Sequence, residues 1–221
     1  MAVNSIHLRK LLQLLYLPDN KLVTKLREDI RNEITKEEEY SPGGGDFFGP
    51  FWSDAKNHVA GHSDLTEQTR IRIDSNTARA RLYPQLEKGF LEWWTEKRRW
   101  SNEEFEFISE RVKGRLSFTE LGAVVKIENI LALRVGDNSD KLIYPYFSEE
   151  PSVNEEAARI GLWVMASTFE KYSDEDMRIL DILRGRSFRS SEVVFDGNEE
   201  QLLISKYSRI LEKWEALKEE Y

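Results

Sequence analysis

Ala123-Val124-Val125-Lys126-Ile127, Ile130-Leu131-Ala132-Leu133-Arg134-Val135 and Leu142-Ile143-Tyr144 decide the fold class. These runs are short, β-branched or aliphatic, and lack the three-to-four spacing of a helix face, so they are expected to be strands. Gly136-Asp137-Asn138-Ser139 stands between the second and third as a turn signal. A hairpin or meander follows from this reading.

Downstream, Ser152 with Glu155 opens a helix that runs to about Phe169, and Asp174-Glu175-Asp176 has the charge of a helix start. Met177 to Leu183 fits a strand or a short helix equally well, and Val193-Val194-Phe195 fits one more strand. From Asn198 onward, Leu203, Tyr207, Ile210, Trp214 and Leu217 alternate steps of four and three, the spacing of a helical seam too short for an independent coiled coil.

Upstream the pattern is helical. Ile6, Leu8, Leu11, Leu12, Leu14 and Leu15 predict a helix from Asn4 to Leu17, capped by Asn4 or Ser5 and ended by Pro18. Leu22, Val23, Leu26, Ile30 and Ile34 form the stripe of a second helix, which completes a hairpin over residues 1–41. Residues 42–50 begin with Pro42-Gly43-Gly44-Gly45 and read as a linker. Residues 51–221 then form an α+β domain, helical to about 114 and β-containing from about 115, with Asp64 and Asn76 as caps. Pro84 suits the first turn of a helix to about Trp100, and Ser101 with Glu104 has capping-box spacing for a short helix ending near Gly114. The expected fold class is α+β, mainly α-helical, with a small antiparallel or mixed sheet and flanking helices in the C-terminal half.

Composition narrows the setting. The 221 residues, 40% of them hydrophobic, suffice for a buried core in one large domain or two small ones. There is no Cys, hence no disulfide and no thiolate chemistry, which fits the cytoplasm. No apolar run is long enough for a membrane span, and the start lacks the pattern of a secretory leader. The net charge of -8 opposes a general nucleic-acid coat, and the acidic excess lies in residues 101–221.

Three sets of residues carry chemistry. Asp54, His58 and His62 are spaced by four, so a helix would place two imidazoles and a carboxylate on one face, a ligand set for a divalent metal such as zinc or iron. Gly61 weakens that helix, and Asp64 offers an alternative ligand or a cap. Second, Arg70, Arg72, Arg79, Arg81, Lys88, Lys97, Arg98 and Arg99 outnumber four carboxylates over 70–99, with Tyr83, Trp93, Trp94 and Trp100 interleaved. Arginine clamps phosphate at two points and aromatic rings stack on bases, so this face is a nucleic-acid candidate unless its cations pair with the acidic second half. Third, Phe47, Phe48, Phe51 and Trp52 are too apolar to stay in water and must dock into the core or a partner.

The order strand, strand, helix, strand, helix after Ala123 resembles the core of restriction-endonuclease-like nucleases. That resemblance implies a magnesium site built from an acid at one strand end and an acid-x-Lys on the next strand. Leu142-Ile143-Tyr144-Pro145-Tyr146-Phe147 stands where the second motif is required, and Lys126-Ile127-Glu128 is reversed and on an earlier strand. An active nuclease is not expected. No phosphate loop, dinucleotide fingerprint, nucleophile elbow or zinc-protease motif is present.

The reading that follows is a non-enzymatic interaction or accessory protein, part of a multi-protein or nucleic-acid-associated system, with a protein partner or self-association. The alternatives are a nucleic-acid-binding protein using the 70–99 face and a metal-dependent hydrolase using Asp54, His58 and His62.

Overall fold

The computed structural model describes residues 3–39, 46–98, 102–136 and 139–221. The expected Pro42–Gly45 linker lies outside the described residues. The chain folds as α+β with helix predominating, around two mixed sheets.

The three deciding runs are all strands, β4 (Ala123–Ile127), β5 (Leu131–Val135) and β6 (Ser139–Tyr146). They do not form one meander. Strand β4 lies in a small sheet of order β1-β4-β3, made with β1 (Ser5–His7) and β3 (Gly114–Phe118), whereas β5 and β6 pair as an antiparallel hairpin in a second sheet. The break falls at Asn129, whose φ of 65° turns the chain between sheets. The larger sheet has the order β2-β5-β6-β7-β8, with β2 (Phe105–Phe107), β7 (Met177–Asp181) and β8 (Arg186–Phe188). Helix α6 (Glu155–Thr168) returns the chain so that β6 and β7 run parallel, and β8 closes antiparallel to β7.

Burial explains why these strands read as continuous apolar runs. Leu131, Leu133, Val135, Ile143 and Leu180 face one core, and Ala132, Leu142, Tyr144, Tyr146, Met177 and Ile179 face the other, so the sheet is covered on both sides. On the first side lie α3 (Gly49–Val59), α4 (Leu65–Ser75) and α5 (Tyr83–Glu92), which bury Phe51, Trp52, Leu65, Leu86 and Phe90. On the second lie α1 (Leu8–Tyr16), α6, the small sheet and α7 (Glu199–Lys218). The seam of α7 is buried at Leu203, Tyr207, Ile210, Trp214 and Leu217, each worth about 1.5–3 kcal/mol if typical of core side chains.

Helix α2 (Asp19–Glu39) lies along α7 through Arg27–Glu220 at 2.9 Å and Lys213–Asp19 at 3.1 Å, and meets α1 through Lys10–Asp29 at 2.8 Å. The N-terminal helices thus share a core with α6 and α7. Gly161 lets α6 approach both neighbours, because a Cβ there would sit 3.0 Å from Ile179 and 3.1 Å from Leu12.

Four local expectations differ from the structure. The first helix begins at Leu8, since Ser5–His7 is a strand parallel to β4 that buries Ile6 between two half-buried neighbours. The capping-box spacing of Ser101 and Glu104 opens no helix over the described part of 102–114. Phe105-Glu106-Phe107 alternates with a period of two and pairs antiparallel with β5, and tertiary pairing outweighs a local cap. Asn154, not Ser152, caps α6, accepting from Ala157 N at 2.7 Å. Val193 to Phe195 forms no strand. Asp64 and Asn76 cap as expected, accepting from Glu67 N at 2.9 Å and Ala78 N at 3.0 Å.

Candidate anion-binding cleft

Past Glu92 the helix α5 widens into a π turn over Trp93–Lys97, which buries Trp93 and Trp94 and presents Lys97 and Arg98 outward. Facing it is the edge of the larger sheet. Strand β7 ends in a 3-10 turn, Ile182–Arg184, and Gly185 takes φ 52° so that the chain can reverse into β8. This short reversal carries Arg184 and Arg186, with Arg178 at the start of β7 and Arg189 just past β8.

The two segments enclose a cleft of about 380 Å³ lined, among the described residues, by Lys97, Arg98, Arg178, Arg184, Arg186 and Arg189, with Gly185, Ser187 and a single carboxylate, Glu192. Four of the six cations are engaged. Lys97 pairs with Glu92 at 2.7 Å, Arg189 with Glu192 at 3.2 Å, and Arg184 with Asp181 at 3.3 Å and the Ser148 carbonyl at 2.7 Å. Arg178, only 6% exposed, donates to the Met177 carbonyl at 2.8 Å. The remaining two rest on rings. The Arg98 guanidinium lies 3.5 Å from the Trp94 centroid and 5.1 Å from that of Phe105, and Arg186 lies 4.4 Å from that of Phe188. Burial lowers the Arg98 pKa from its ordinary value, although the group stays charged. Its Nε and Nη1 are buried without a hydrogen-bond acceptor.

Stacking on an aromatic ring fixes the plane of a guanidinium while leaving its N–H edge free, which reduces the entropy lost when an oxyanion docks. The two ring-stacked guanidinium groups have the chemistry to meet an oxyanion such as phosphate, which accepts paired N–H bonds from arginine.

Elsewhere on the expected 70–99 face three of the arginines are paired with carboxylates. Arg70 pairs with Glu67 at 2.7 Å and Asp74 at 3.3 Å, Arg72 holds Asp54, Arg79 donates to the Arg72 carbonyl at 3.3 Å, and Arg81 pairs with Glu149. Among the described residues of this face, Arg81 alone pairs into the acidic second half. Lys88 is exposed, and Arg99 lies outside the described residues. Of the expected face, Lys97 and Arg98 alone join the cleft; Arg178, Arg184, Arg186 and Arg189 come from a segment that the linear count over 70–99 never reached.

The three candidate metal ligands are not brought together. Asp54, buried on α3, gives both oxygens to Arg72 at 2.8 and 2.9 Å. His58 Nδ1 accepts from Leu65 N at 3.2 Å, and the exposed His62 follows the end of the helix. Among the described residues no group of three or more His, Asp or Glu side chains is placed to hold a metal ion. The aromatic stretch is core at Phe51 and Trp52 and half-buried at Phe47 and Phe48. Phe51 and Trp52 are buried, Phe48 stacks on Phe147 with centroids 4.9 Å apart, and Phe47 packs edge-on against Tyr83 at 5.5 Å. These rings meet α5 and the sheet, which covers Phe51 and Trp52 and leaves Phe47 and Phe48 partly open.

A cavity of about 720 Å³ between α1, α2 and the 147–150 turn is a weaker candidate for an anion despite its size. Its Lys10 pairs with Asp29, Lys25 with Glu28, and Arg9 with Asp46, so its cations are already matched. Among the described residues no helix is long and apolar enough to cross a membrane. No family model matches the chain, and no curated protein matches it in sequence.

Proposed function

We propose that the chain is a non-enzymatic, nucleic-acid-associated accessory protein that grips backbone phosphates in the arginine cleft. The observation that carries this reading is the pair Arg98 and Arg186, each braced on aromatic rings and neither donating its guanidinium N–H groups to a described residue. The neighbouring Lys97, Arg184 and Arg189 are paired with Glu92, Asp181 and Glu192 and add little field, so Arg98 and Arg186 carry the contact, and their stacked guanidinium faces suit nucleobases as well as phosphate. The resemblance in strand order to nucleases supports an association with nucleic acid without hydrolysis: the centre of β6 is Leu142-Ile143-Tyr144-Pro145-Tyr146, Asp140 pairs with Arg134 at 2.9 Å, and Lys141 pairs with Asp176.

Anisotropy of a labelled single strand and a labelled duplex, titrated between about 50 and 200 mM salt, tests it. The wild type is expected to bind with an affinity that falls as salt rises. Arg98→Ala combined with Arg186→Ala removes two phosphate contacts, so the magnitude of the log–log salt slope drops by about 1.4 to 1.8 and the affinity falls with it. Arg70→Ala combined with Arg81→Ala removes cations that are already paired and leaves both unchanged. Equal binding by the cleft double variant, or loss confined to the Arg70 and Arg81 variant, overturns the assignment.

A further inference from the structure

A second place in the molecule holds cations without a described partner. The chain between β2 and β3 crosses from one sheet to the other without regular structure, and it brings Arg111 and Lys113 over the exposed end of α3. Beneath it lies a cavity of about 330 Å³ whose charged lining is Arg9, Lys56, Arg111 and Lys113 against one carboxylate, Glu128. Arg9 is engaged with Asp46 at 3.2 Å, and Glu128 lies 3.9 Å from His7 Nδ1. No described residue pairs with Lys56, Arg111 or Lys113.

Lys56 is the informative member. It is half-buried on α3, and both desolvation and the nearby Arg111 charge push its pKa below the ordinary lysine value. A half-buried ammonium with no counter-ion and a guanidinium for a neighbour is unfavourable in an empty cavity, and an anion between the two removes both penalties at once. The rest of the lining mixes the polar Ser53 and Asn129 with the apolar Val112, Ile130 and Phe147. The cavity thus offers cations for a charged group and a few apolar atoms for a small hydrocarbon or ring attached to it.

We propose that the cavity under the 108–113 crossover is a separate ligand site for a small phosphate monoester, with Lys56, Arg111 and Lys113 on the phosphate and the Val112–Ile130 wall on the ester group. It is independent of the arginine cleft, which sits at the β8 edge and shares none of these residues.

Equilibrium binding of inorganic phosphate and of phenyl phosphate to the full chain tests the site, with the Arg98→Ala, Arg186→Ala background used to remove the cleft. In that background one equivalent of phosphate is expected to remain bound, phenyl phosphate binds more tightly than inorganic phosphate, and Lys56→Met weakens both by about tenfold. Met keeps the length of the side chain and removes an unpaired charge, so the variant is expected to fold. Arg111→Gln, on the exposed crossover, provides a second variant whose folding is not in question, and it lowers affinity in the same direction. No phosphate bound in the cleft-deficient background, binding indifferent to Lys56→Met and Arg111→Gln, or phenyl phosphate binding no tighter than inorganic phosphate would each overturn the proposal.

Discussion

Gly89→Ala should separate the two walls of the arginine cleft. Gly89 lies on α5 against the 3-10 turn that follows β7, and a Cβ there would stand 1.9 Å from the Ile182 carbonyl oxygen, 3.1 Å from its carbon and 3.2 Å from the Leu183 carbonyl carbon. All three are backbone atoms. The approach is reciprocal, since a Cβ on Gly185 would meet the Gly89 oxygen at 2.7 Å. Bringing the new methyl to an acceptable 3.0 Å requires the helix and the turn to part by about 1.1 Å. That movement strips contacts from Leu86, Phe90 and Leu180, all fully buried between the same elements.

The helix itself favours the substitution, by up to about 1 kcal/mol for Gly to Ala in a helix interior. Overpacking costs about 1–3 kcal/mol, and a backbone carbonyl that cannot rotate away belongs at the upper end. The net expectation is a loss of about 2 kcal/mol, which for a chain of this length lowers the melting temperature by about 4–8 °C. Urea unfolding followed by circular dichroism should show a lower midpoint at unchanged slope. Because Lys97 and Arg98 follow α5 while Arg184 and Arg186 flank the turn, nucleic-acid affinity should fall in the same variant. Gly61→Ala is the control: φ is +74° with nothing within 4 Å of the new methyl, so only backbone strain of about 1–2 kcal/mol is expected and binding is unchanged. A Gly89→Ala protein as stable as the wild type, with normal binding, would refute the account of how helix and turn define the cleft.

Asp54→Asn removes a bidentate acceptor from Arg72 at a nearly buried position, so stability should fall by about 2 kcal/mol, less than for a fully buried pair because Arg72 is one-third exposed. Chemical denaturation with and without chelator checks this, and a loss that chelator reproduces in the wild type would restore Asp54 to a metal site. His7 is held below its usual 6.5 because desolvation on β1 outweighs the attraction of Glu128. Between the lowered native value and 6.5 the unfolded chain binds more protons, so wild-type stability should decline as pH falls through 6.5. His7→Gln should flatten that decline in denaturant titrations over this range, and an identical pH profile would contradict the reading of His7.

Elements whose own side chains carry the period were legible in the sequence. The α7 seam was visible because Leu203 to Leu217 repeats at helical steps and the whole stripe is buried. Strands β4, β5 and β6 were visible because burial on both faces demands continuous apolar runs. What could not be read depended on partners distant in sequence. Ile6 suits a helix stripe as well as a strand, and pairing with Val125 decides between them. Phe105 and Phe107 need β5 to become a strand, and nothing near Glu128-Asn129 announces that the chain changes sheets there. The cleft was legible only in part: Lys97 and Arg98 stand in the basic count over 70–99, but Arg178, Arg184, Arg186 and Arg189 lie outside it. A signal was present nonetheless, since residues 178–189 hold four arginines and one aspartate within the acidic half of the chain.

That local reversal of sign also bears on how the protein meets a polyanion. A net charge of -8 repels nucleic acid at a distance, and only groups within about a Debye length, roughly 10 Å at 0.1 M salt, act at the cleft itself. Of the basic side chains of 70–81, Arg70, Arg72 and Arg81 are matched by Glu67, Asp74, Asp54 and Glu149 and contribute little field, while Arg79 keeps its charge over the Tyr83 ring. If two ring-braced arginines make the contacts, the salt slope is shallow, about -1.4 to -1.8, where a basic coating across the 70–99 face would give a slope several times steeper. At very low salt, repulsion from the acidic surface is no longer screened, so the gain in affinity on dilution should level off. A continued steep rise would mean that many more phosphates are contacted than the cleft can reach.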